Sequence, residues 1–336
     1  MEYLLRLING IGNKIFILVY FLNKYPEDTL LIIDGKSHHQ YGSEKEKIWH
    51  LYPKLLEHPR IKFIRWKEYD SLKLQGLKEL EITNNIFHNI EGFSEKAIKK
   101  YFKINSEYEY LKNKYDFVKG LFVHFRLGDK FIQNYQKVRK GASKDYIVLK
   151  PEYYLKYISE FNGPIYIFSD DPKLAKCLLG TNYEYPIEDT NETLYCFQNA
   201  KHLLISESTM SIAGIKLQTK KFKAIVPGYF IWEKKVIKTP YFKKDMNIEI
   251  ENDELLILNT KSEYEDVITK CKVKLNSGAE ILANPIVAKA KGDKTTISLR
   301  PERALIDPQT KMDNNHKGKI EEVIYHGDHT RLRVDL

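Results

Sequence analysis

The chain has 336 residues, of which 43% are hydrophobic and 12% aromatic, and this composition supports packed globular cores in about two domains. The net charge of +9 comes largely from lysine, but no run of like charges is long enough for a nucleic-acid-binding arm, so a solvated lysine surface is favoured over a nucleic-acid partner. The three cysteines are far apart, which argues against a zinc site and favours a reducing compartment.

The first two thirds of the chain alternate predicted strands and helices. An apolar strand near residue 7 runs into a Gly-x-Gly-Asn turn and an apolar helix. Further strands are predicted at 30–34, 61–64, 121–123, 165–168 and 222–226, and helices at 45–56, 95–115, 153–161 and 192–201. This alternation predicts parallel sheets with helices on both faces, an α/β fold.

The most informative segment follows the apolar run 121–123 and reads His-Phe-Arg-Leu-Gly-Asp-Lys over 124–130. Arg126 would lie at a strand end, where open α/β sheets bind nucleotides, and its planar guanidinium suits two phosphate oxygens. The alternative is an ion pair with a surface carboxylate. His124 and Lys130 are further candidates for ligand contacts. The alternatives are a strand-end histidine whose hydrogen bonds are satisfied within the protein, and an ordinary surface lysine.

Three other segments place polar residues at predicted strand ends. The turn after the first strand would let the backbone pass close to a ligand. The strand at 165–168 ends in a carboxylate that contacts a ligand or caps the next helix. The hydroxyl-rich loop after 202–205 opens a helix, whose first amides can hold an anion or be capped by those hydroxyls. The candidate residues are Gly12, Asn13, Asp170, Ser206, Ser208, Thr209 and Ser211.

Together and in this order, the four segments over residues 1–240 resemble the inverting fucosyltransferases of glycosyltransferase family 11. The chain has Leu127, Lys14 and Glu207 where that family has arginine, glutamine and asparagine. The resemblance implies two Rossmann-like lobes of GT-B type, at 1–110 and 111–250. It also implies transfer of fucose from GDP-fucose to a glycan hydroxyl with inversion, in the manner of an α-1,2-fucosyltransferase and without a required metal or other cofactor.

The remaining residues carry a second resemblance. Residues 296–302 and 318–334 resemble the transport-associated OB (TOBE) domain of polyamine-type ABC importers, so a small OB-like β domain is expected at 271–336, after a linker at 251–270. Apolar residues around Gly327-Asp328 predict a hairpin. The sequence has no Gly-x4-Gly-Lys-Ser/Thr phosphate loop, so this domain is either an accessory module or part of a chimera. The alternative function is a TOBE component of a spermidine/putrescine-type ABC transporter, without ATPase activity on this chain and with a transporter subunit as partner.

An inverting transfer also needs a base for the acceptor hydroxyl, and Asp129 and Asp34 are candidates by position only. Asp129 has the alternative role of fixing the Arg126 loop. The apolar run 15–22 is too short to span a bilayer and lacks the flanks of a signal peptide. We therefore expect a cytoplasmic enzyme that can act peripherally, beside a membrane, on lipid-linked or surface glycans.

Overall fold

The computed structural model describes residues 1–35, 47–83, 86, 93, 99–143, 147–232, 235–238, 248–269, 272–276, 278, 280–282, 319–325 and 330–335. The chain divides into two compact units. One comprises Met1–Pro172 with Tyr183–Leu258, and the other comprises Lys173–Asn182 with Asn259–Leu336. No helix in the described ranges has the length and apolarity needed to cross a membrane.

The first lobe is built on a parallel sheet of order β1-β2-β3. Its elements are β1 (Glu2–Leu7), α1 (Ile11–Lys24), β2 (Thr29–Asp34), α2 (Ile48–Leu51), a 3-10 turn (Pro53–Glu57), β3 (Ile61–Phe63) and α3 (Trp66–Leu74). Helix α1 is apolar around most of its circumference, with Ile15, Phe16 and Ile17 fully enclosed. A helix with this pattern belongs inside the core. It shares one hydrophobic cluster with the second lobe.

The second lobe has a five-stranded parallel sheet of order β10-β7-β6-β4-β5. Its elements are a 3-10 turn (Ser106–Tyr110), α4 (Leu111–Lys114), β4 (Leu121–Phe125), α5 (Gly128–Arg139), α6 (Pro151–Ile158), β5 (Ile165–Ser169), α8 (Thr190–Asn199), β6 (His202–Leu204), α9 (Thr209–Lys216), β7 (Lys223–Pro227), an antiparallel pair of β8 (Tyr229–Trp232) and β9 (Lys235–Lys238), and β10 (Ile248–Glu251). Helix α7 (Pro172–Leu179) follows β5 in the chain and, from Lys173 on, belongs to the other unit. The predicted α/β class with parallel sheets is confirmed.

The remaining elements are a 3-10 turn (Glu254–Leu256), α10 (Lys261–Thr269), and the antiparallel pairs β11 (Lys272–Lys274) with β12 (Glu280–Leu282) and β13 (Lys319–Tyr325) with β14 (Thr330–Asp335). In the predicted hairpin, the backbone register pairs Ile320 with Val334 and Val323 with Leu332. The predicted turn at Gly327-Asp328 and the segment 296–302 lie outside the described residues.

Four elements differ from the predicted ones. In the described part of the helix predicted at 95–115, residues 102–105 are in no regular element and only the 3-10 turn (Ser106–Tyr110) and the short α4 (Leu111–Lys114) form. The helix predicted at 45–56 is interrupted at Pro53, because proline lacks an amide hydrogen and restricts the residue before it; Tyr52 has φ −124° and ψ 75°. Strand β10 adds an edge that the sequence does not predict, beside β7. Helix α10 lies within the stretch 251–270 that was predicted to be a linker.

Candidate functional site

Strand β4 lies between β5 and β6, so the residues after these three strands share one edge of the sheet. Arg126 follows β4 directly, and its Nη1 lies 2.8 Å from Oδ2 of Asp170, which follows β5. Asp170 also accepts a hydrogen bond of 2.8 Å from the Leu127 amide through Oδ1. The two predicted candidates Arg126 and Asp170 are therefore in contact, and the Arg126 side chain is 29% exposed.

Gly128 makes this contact sterically possible. Its φ of +26° lies in a region that L side chains rarely adopt. A Cβ atom at this position would lie 2.0 Å from Oδ2 of Asp170. Glycine is thus required at position 128 because the carboxylate that follows the neighbouring strand leaves no room for a side chain. No pattern within residues 124–130 reveals this requirement.

His124 lies within β4 and is 3% exposed. Its Nδ1 is 3.1 Å from the hydroxyl oxygens of both Ser206 and Ser211, which are also buried. Burial, with the charges of Arg126 and Lys130, lowers the pKa of His124 to about 3, so the imidazole is neutral at physiological pH. The structure brings these predicted residues together in the interior, where they connect β4 to the loop after β6 and to the first turn of α9.

The Nζ atom of Lys130 contacts that same loop. It donates a 2.8 Å hydrogen bond to the main-chain oxygen of Glu207 and lies 3.3 Å from its Oε2. Both side chains are largely enclosed, at 14% and 15% exposure. A second contact fixes this loop, since the buried Tyr153 hydroxyl donates a 2.9 Å hydrogen bond to the Ile205 main-chain oxygen. The sequence predicts no role for Glu207 or Tyr153. A glutamate after a strand and a tyrosine in a helix look the same in the sequence whether they hold this loop or occupy ordinary surface and core positions.

The first lobe reaches this site through the start of α1. Thr209 donates a 2.7 Å hydrogen bond from its hydroxyl to Oδ1 of Asn13. A Cβ atom on Gly12 would lie 2.4 Å from the backbone nitrogen of Met210. The predicted residues Gly12, Asn13 and Thr209 therefore meet, and they bring the N-terminal ends of α1 and α9 into contact.

Helices α5 and α9 begin at this edge, and α1 of the first lobe begins against the start of α9; none of the three has a hydrogen bond from an N-cap side chain. Their N-cap residues are Gly10, Leu127 and Ser208. The free amides and the dipole of a helix N-terminus favour an anion. The first turns of α1 and α9 also contain no acidic residue to occupy these amides. The edge is therefore suited to a negatively charged ligand.

Of the two predicted candidates for the base, Asp34 and Asp129, the structure describes the side-chain contacts of Asp34 only. Oδ1 of Asp34 lies 2.6 Å from Nζ of Lys14, and Oδ2 accepts a 2.6 Å hydrogen bond from the Ile48 amide, so this carboxylate is enclosed and occupied within the first lobe. The side chain of Asp129 lies outside the described part of the chain. Among described residues, no group of three or more His, Cys, Asp or Glu side chains is arranged to hold a metal ion.

A cavity of about 520 Å³ lies at the other end of the second sheet. It is lined by residues that precede β4, β6 and β7, including Phe117, Asn199 and Lys220. In a parallel sheet the starts of the strands share the edge opposite to their ends. This cavity is therefore separate from the Arg126 site.

The TOBE domain family model matches residues 297–336, as the sequence resemblance predicts. No curated protein sequence matches the chain significantly. Among solved structures, the chain is similar to POFUT1 in complex with GDP-fucose, with a TM-score of 0.44 and 10% identity over 67% of this chain and 97% of that chain. It is also similar to the E. coli ADP-heptose LPS heptosyltransferase II, with a TM-score of 0.40 and 9% identity over 80% and 98% of the two chains. NodZ α-1,6-fucosyltransferase soaked with GDP-fucose gives a TM-score of 0.36 and 11% identity over 71% and 100%.

Proposed function

We propose that residues 1–258 form a glycosyltransferase that takes a nucleotide-diphosphate sugar as donor. The observation that carries this proposal is the convergence of Arg126 and Lys130 with the N-termini of α5 and α9 at one sheet edge, where the N-terminus of α1 meets that of α9; none of these helices has an N-cap side-chain hydrogen bond. Together these groups supply two cationic side chains and amide donors for a diphosphate.

Arg126 has the central role in this proposal. In the structure its guanidinium contacts a carboxylate, which presents two oxygens much as a phosphate does. A bound diphosphate offers the same geometry with more charge, so we propose that it takes over part of this contact. As the bond to the sugar breaks, negative charge builds on the departing diphosphate, and preorganised cations stabilise that charge most effectively.

The finer identity of the reaction rests on the motifs that resemble glycosyltransferase family 11. We propose GDP-fucose as donor, a glycan hydroxyl as acceptor and inversion at the anomeric carbon, as in α-1,2-fucosyltransferases. Because Arg126, Lys130 and the helix N-termini provide the positive charge, the reaction is proposed to need no metal. EDTA should leave turnover unchanged, and activity lost in EDTA but restored by Mn²⁺ would overturn this part.

The test is release of GDP from GDP-fucose by the purified full chain, with a panel of glycans as acceptors. Proton NMR of the first product formed reports the configuration at the anomeric carbon. We expect GDP release to increase with a matching acceptor and the product to be the β-to-α inverted fucoside. Retained configuration would contradict inversion, and no affinity for any GDP-sugar would contradict the donor class.

The TOBE-domain match over 297–336 supports a second candidate. In that case the chain is a component related to a spermidine/putrescine-type ABC transporter, without ATPase activity of its own. Such a protein should bind a transporter subunit and lack affinity for GDP-sugars. A pull-down with candidate transporter subunits, run beside the GDP-fucose assay, separates the two candidates.

A further inference from the structure

The cavity at the starts of the second-lobe strands is surrounded by lysines. Three of them line it, namely Lys112, Lys114 and Lys220. Two more lie beside it, because Lys201 precedes β6 and Lys223 begins β7. The Lys223 amide donates a 2.7 Å hydrogen bond to the Lys201 main-chain oxygen, and the Lys201 amide donates a 2.9 Å hydrogen bond to that of Phe117 in the cavity lining. The backbone therefore brings these lysines to one edge of the sheet.

Two of these lysines have partners that explain their position. Lys112 lies 3.1 Å from a carboxylate oxygen of Glu109, and Lys114 forms an ion pair with Glu188. Both lysines are in the last turn of α4, where the helix dipole favours a cation. The fold itself accounts for these two charges.

The other three lysines have no such explanation. Lys201, Lys220 and Lys223 are exposed, and none of them forms an ion pair within the described part of the chain. Lys220 lies beyond the last turn of α9, out of reach of that helix dipole. Burial, followed by the charges of Lys201 and Lys223, lowers the pKa of His202 between them. Unpaired charges of one sign repel each other, and an anion at this edge would relieve that repulsion.

A carboxylate also lines the cavity but offsets only part of this charge. Oδ1 of Asp116 accepts hydrogen bonds of 3.1 Å and 2.9 Å from the amides of Val118 and Lys119, so this oxygen serves the turn before β4. One aspartate therefore stands against the three unpaired lysines. A cleft with an excess of one sign of charge concentrates ligands of the opposite sign.

The uncharged lining residues suit a sugar. The side chain of Asn113 is exposed and has no hydrogen-bond partner among the described residues. Asn199 donates from Nδ2 to the Tyr195 main-chain oxygen at 2.9 Å, which leaves its amide oxygen as an acceptor. Phe117 adds a half-buried apolar ring that can cover the C–H groups of a sugar. The volume of about 520 Å³ lies within the range of about 300–1,000 Å³ that is usual for small-ligand sites.

We propose that this cavity binds an anionic saccharide, a sugar chain that carries carboxylate or sulfate groups. Lys201, Lys220 and Lys223 bind the acidic groups, and the amides of Asn113 and Asn199 bind hydroxyls. The cavity lies at the sheet edge opposite to Arg126, so this binding does not depend on the transfer reaction proposed above.

Calorimetric titration of the full chain with a heparin-derived tetrasaccharide tests the proposal, at a fixed ionic strength because salt screens exposed charges. Chitotetraose serves as the neutral saccharide. A single-stranded oligonucleotide of the same net charge as the heparin fragment serves as the anion without this sugar chemistry, and vesicles with phosphatidylserine serve as a membrane surface. GDP is titrated into every variant as a separate readout of the Arg126 site.

We expect the wild type to bind the heparin fragment more tightly than any of the other three probes. Lys220→Ala should weaken this binding by up to about fivefold, the usual limit for an exposed charge pair. The combined Lys201→Ala, Lys220→Ala and Lys223→Ala variant should weaken it on the order of 100-fold if the three contacts are additive. Lys67→Ala removes an exposed lysine of α3 that has no ion pair among the described residues, and it is the matched control that should bind as the wild type does.

Asn113→Ala tests the sugar part of the proposal, because it changes no charge. It should weaken binding of the heparin fragment by about fivefold, as expected for one lost hydrogen bond. All these variants should bind GDP with the affinity of the wild type, since the substituted residues lie away from the Arg126 edge.

Three results would overturn the proposal. The first is that the wild type does not bind the heparin fragment, and the second is that the triple lysine variant binds it as tightly as the wild type. The third is that the oligonucleotide or the vesicles bind as tightly as the heparin fragment, which would show a surface for polyanions or membranes in general. Absence of GDP binding by the wild type would contradict the proposed function alone, because the saccharide titrations do not use the Arg126 site.

Discussion

At the scale of single residues, the close approach of Gly128 to Asp170 is the most specific feature of the site. Gly128→Ala should destabilise the fold by more than about 1 kcal/mol, because alanine is strained at positive φ and its Cβ would collide with the carboxylate. Gly141→Ala is the matched control, since Gly141 has φ +70° and no atom within 4 Å of a built Cβ.

The two variants separate backbone strain from the contact with Asp170. Urea unfolding should show a larger loss for Gly128→Ala than for Gly141→Ala, and only the former should weaken GDP binding. Equal losses of stability with unchanged GDP affinity would show that the contact between Gly128 and Asp170 is not needed to hold Arg126.

The sequence identifies some of these residues and misses their relationships. The position of Arg126 after an apolar run is enough to predict a strand-end cation. Its partner Asp170 lies on the next strand in space, and a pattern within one segment contains no information on such a contact. His124 has the same sequence signal as Arg126, yet it lies within β4, whose five residues are all buried, and it contacts Ser206 and Ser211 in the interior.

At the scale of elements, the site depends on how closely α1 approaches α9. Gly12→Ala should raise the helix propensity of α1 but place a methyl group 2.4 Å from the Met210 backbone nitrogen. Shifting backbone atoms costs more free energy than rotating a side chain. We therefore expect a net loss of about 1–3 kcal/mol of folding stability, typical of overpacking, and weaker GDP binding.

Gly10→Ala is the control for this prediction, because no atom lies within 4 Å of a Cβ built at Gly10. Thermal unfolding and GDP titration of both variants give the comparison, and Gly10→Ala should cost less in each. If Gly12→Ala is as stable as the wild type, α1 and α9 can separate without loss and do not form a shared anion site.

The sequence predicts elements better than their ends at this scale. The strands 30–34 and 165–168 are recovered within a residue or two because their apolar runs are long and bounded by polar residues. The helix predicted at 45–56 is broken, because its apolar spacing is real but Pro53 removes an amide donor within it. The short edge strand β10 has alternating charged and apolar residues, a pattern too brief to distinguish from a loop.

At the scale of the whole molecule, buried histidines predict how stability depends on pH. The pKa of His124 is lowered to about 3 and that of His58 to about 4, against 6.5 in the unfolded chain, in both cases mainly by burial. Between these values the unfolded state binds more protons than the folded state, so stability is retained above pH 6.5 and falls on acidification. His124 alone should contribute a slope of up to about 1.4 kcal/mol per pH unit.

This slope is measured by urea unfolding of the wild type and of His124→Asn between about pH 7.5 and 4.5, a range that spans the histidine pKa. The variant should be less stable at neutral pH, because contacts with Ser206 and Ser211 are altered, but its stability should decline less steeply with acid. An identical slope in both proteins would mean that His124 is protonated equally in the folded and unfolded states.

The division into two units predicts where the chain can be shortened. Ile257 and Leu258 bond to Leu149 and Val148 and belong to the unit that contains the site. A chain ending at residue 259 keeps these contacts and should therefore stay folded and bind GDP. Loss of GDP binding by a folded chain ending at 259 would show that residues 260–336 complete the site.

The central claim is that Arg126 holds a nucleotide diphosphate at the edge formed by β4, β5 and β6. Calorimetric titration of GDP into the wild type and Arg126→Ala tests it most directly, with Arg126→Lys as the conservative variant and the exposed Arg139→Ala as control. We predict that Arg126→Ala weakens GDP binding by about 1.5–3 kcal/mol, that Arg126→Lys recovers part of it, and that Arg139→Ala changes nothing. Equal GDP affinity in the wild type and a folded Arg126→Ala protein, or no GDP binding by either, would contradict the account.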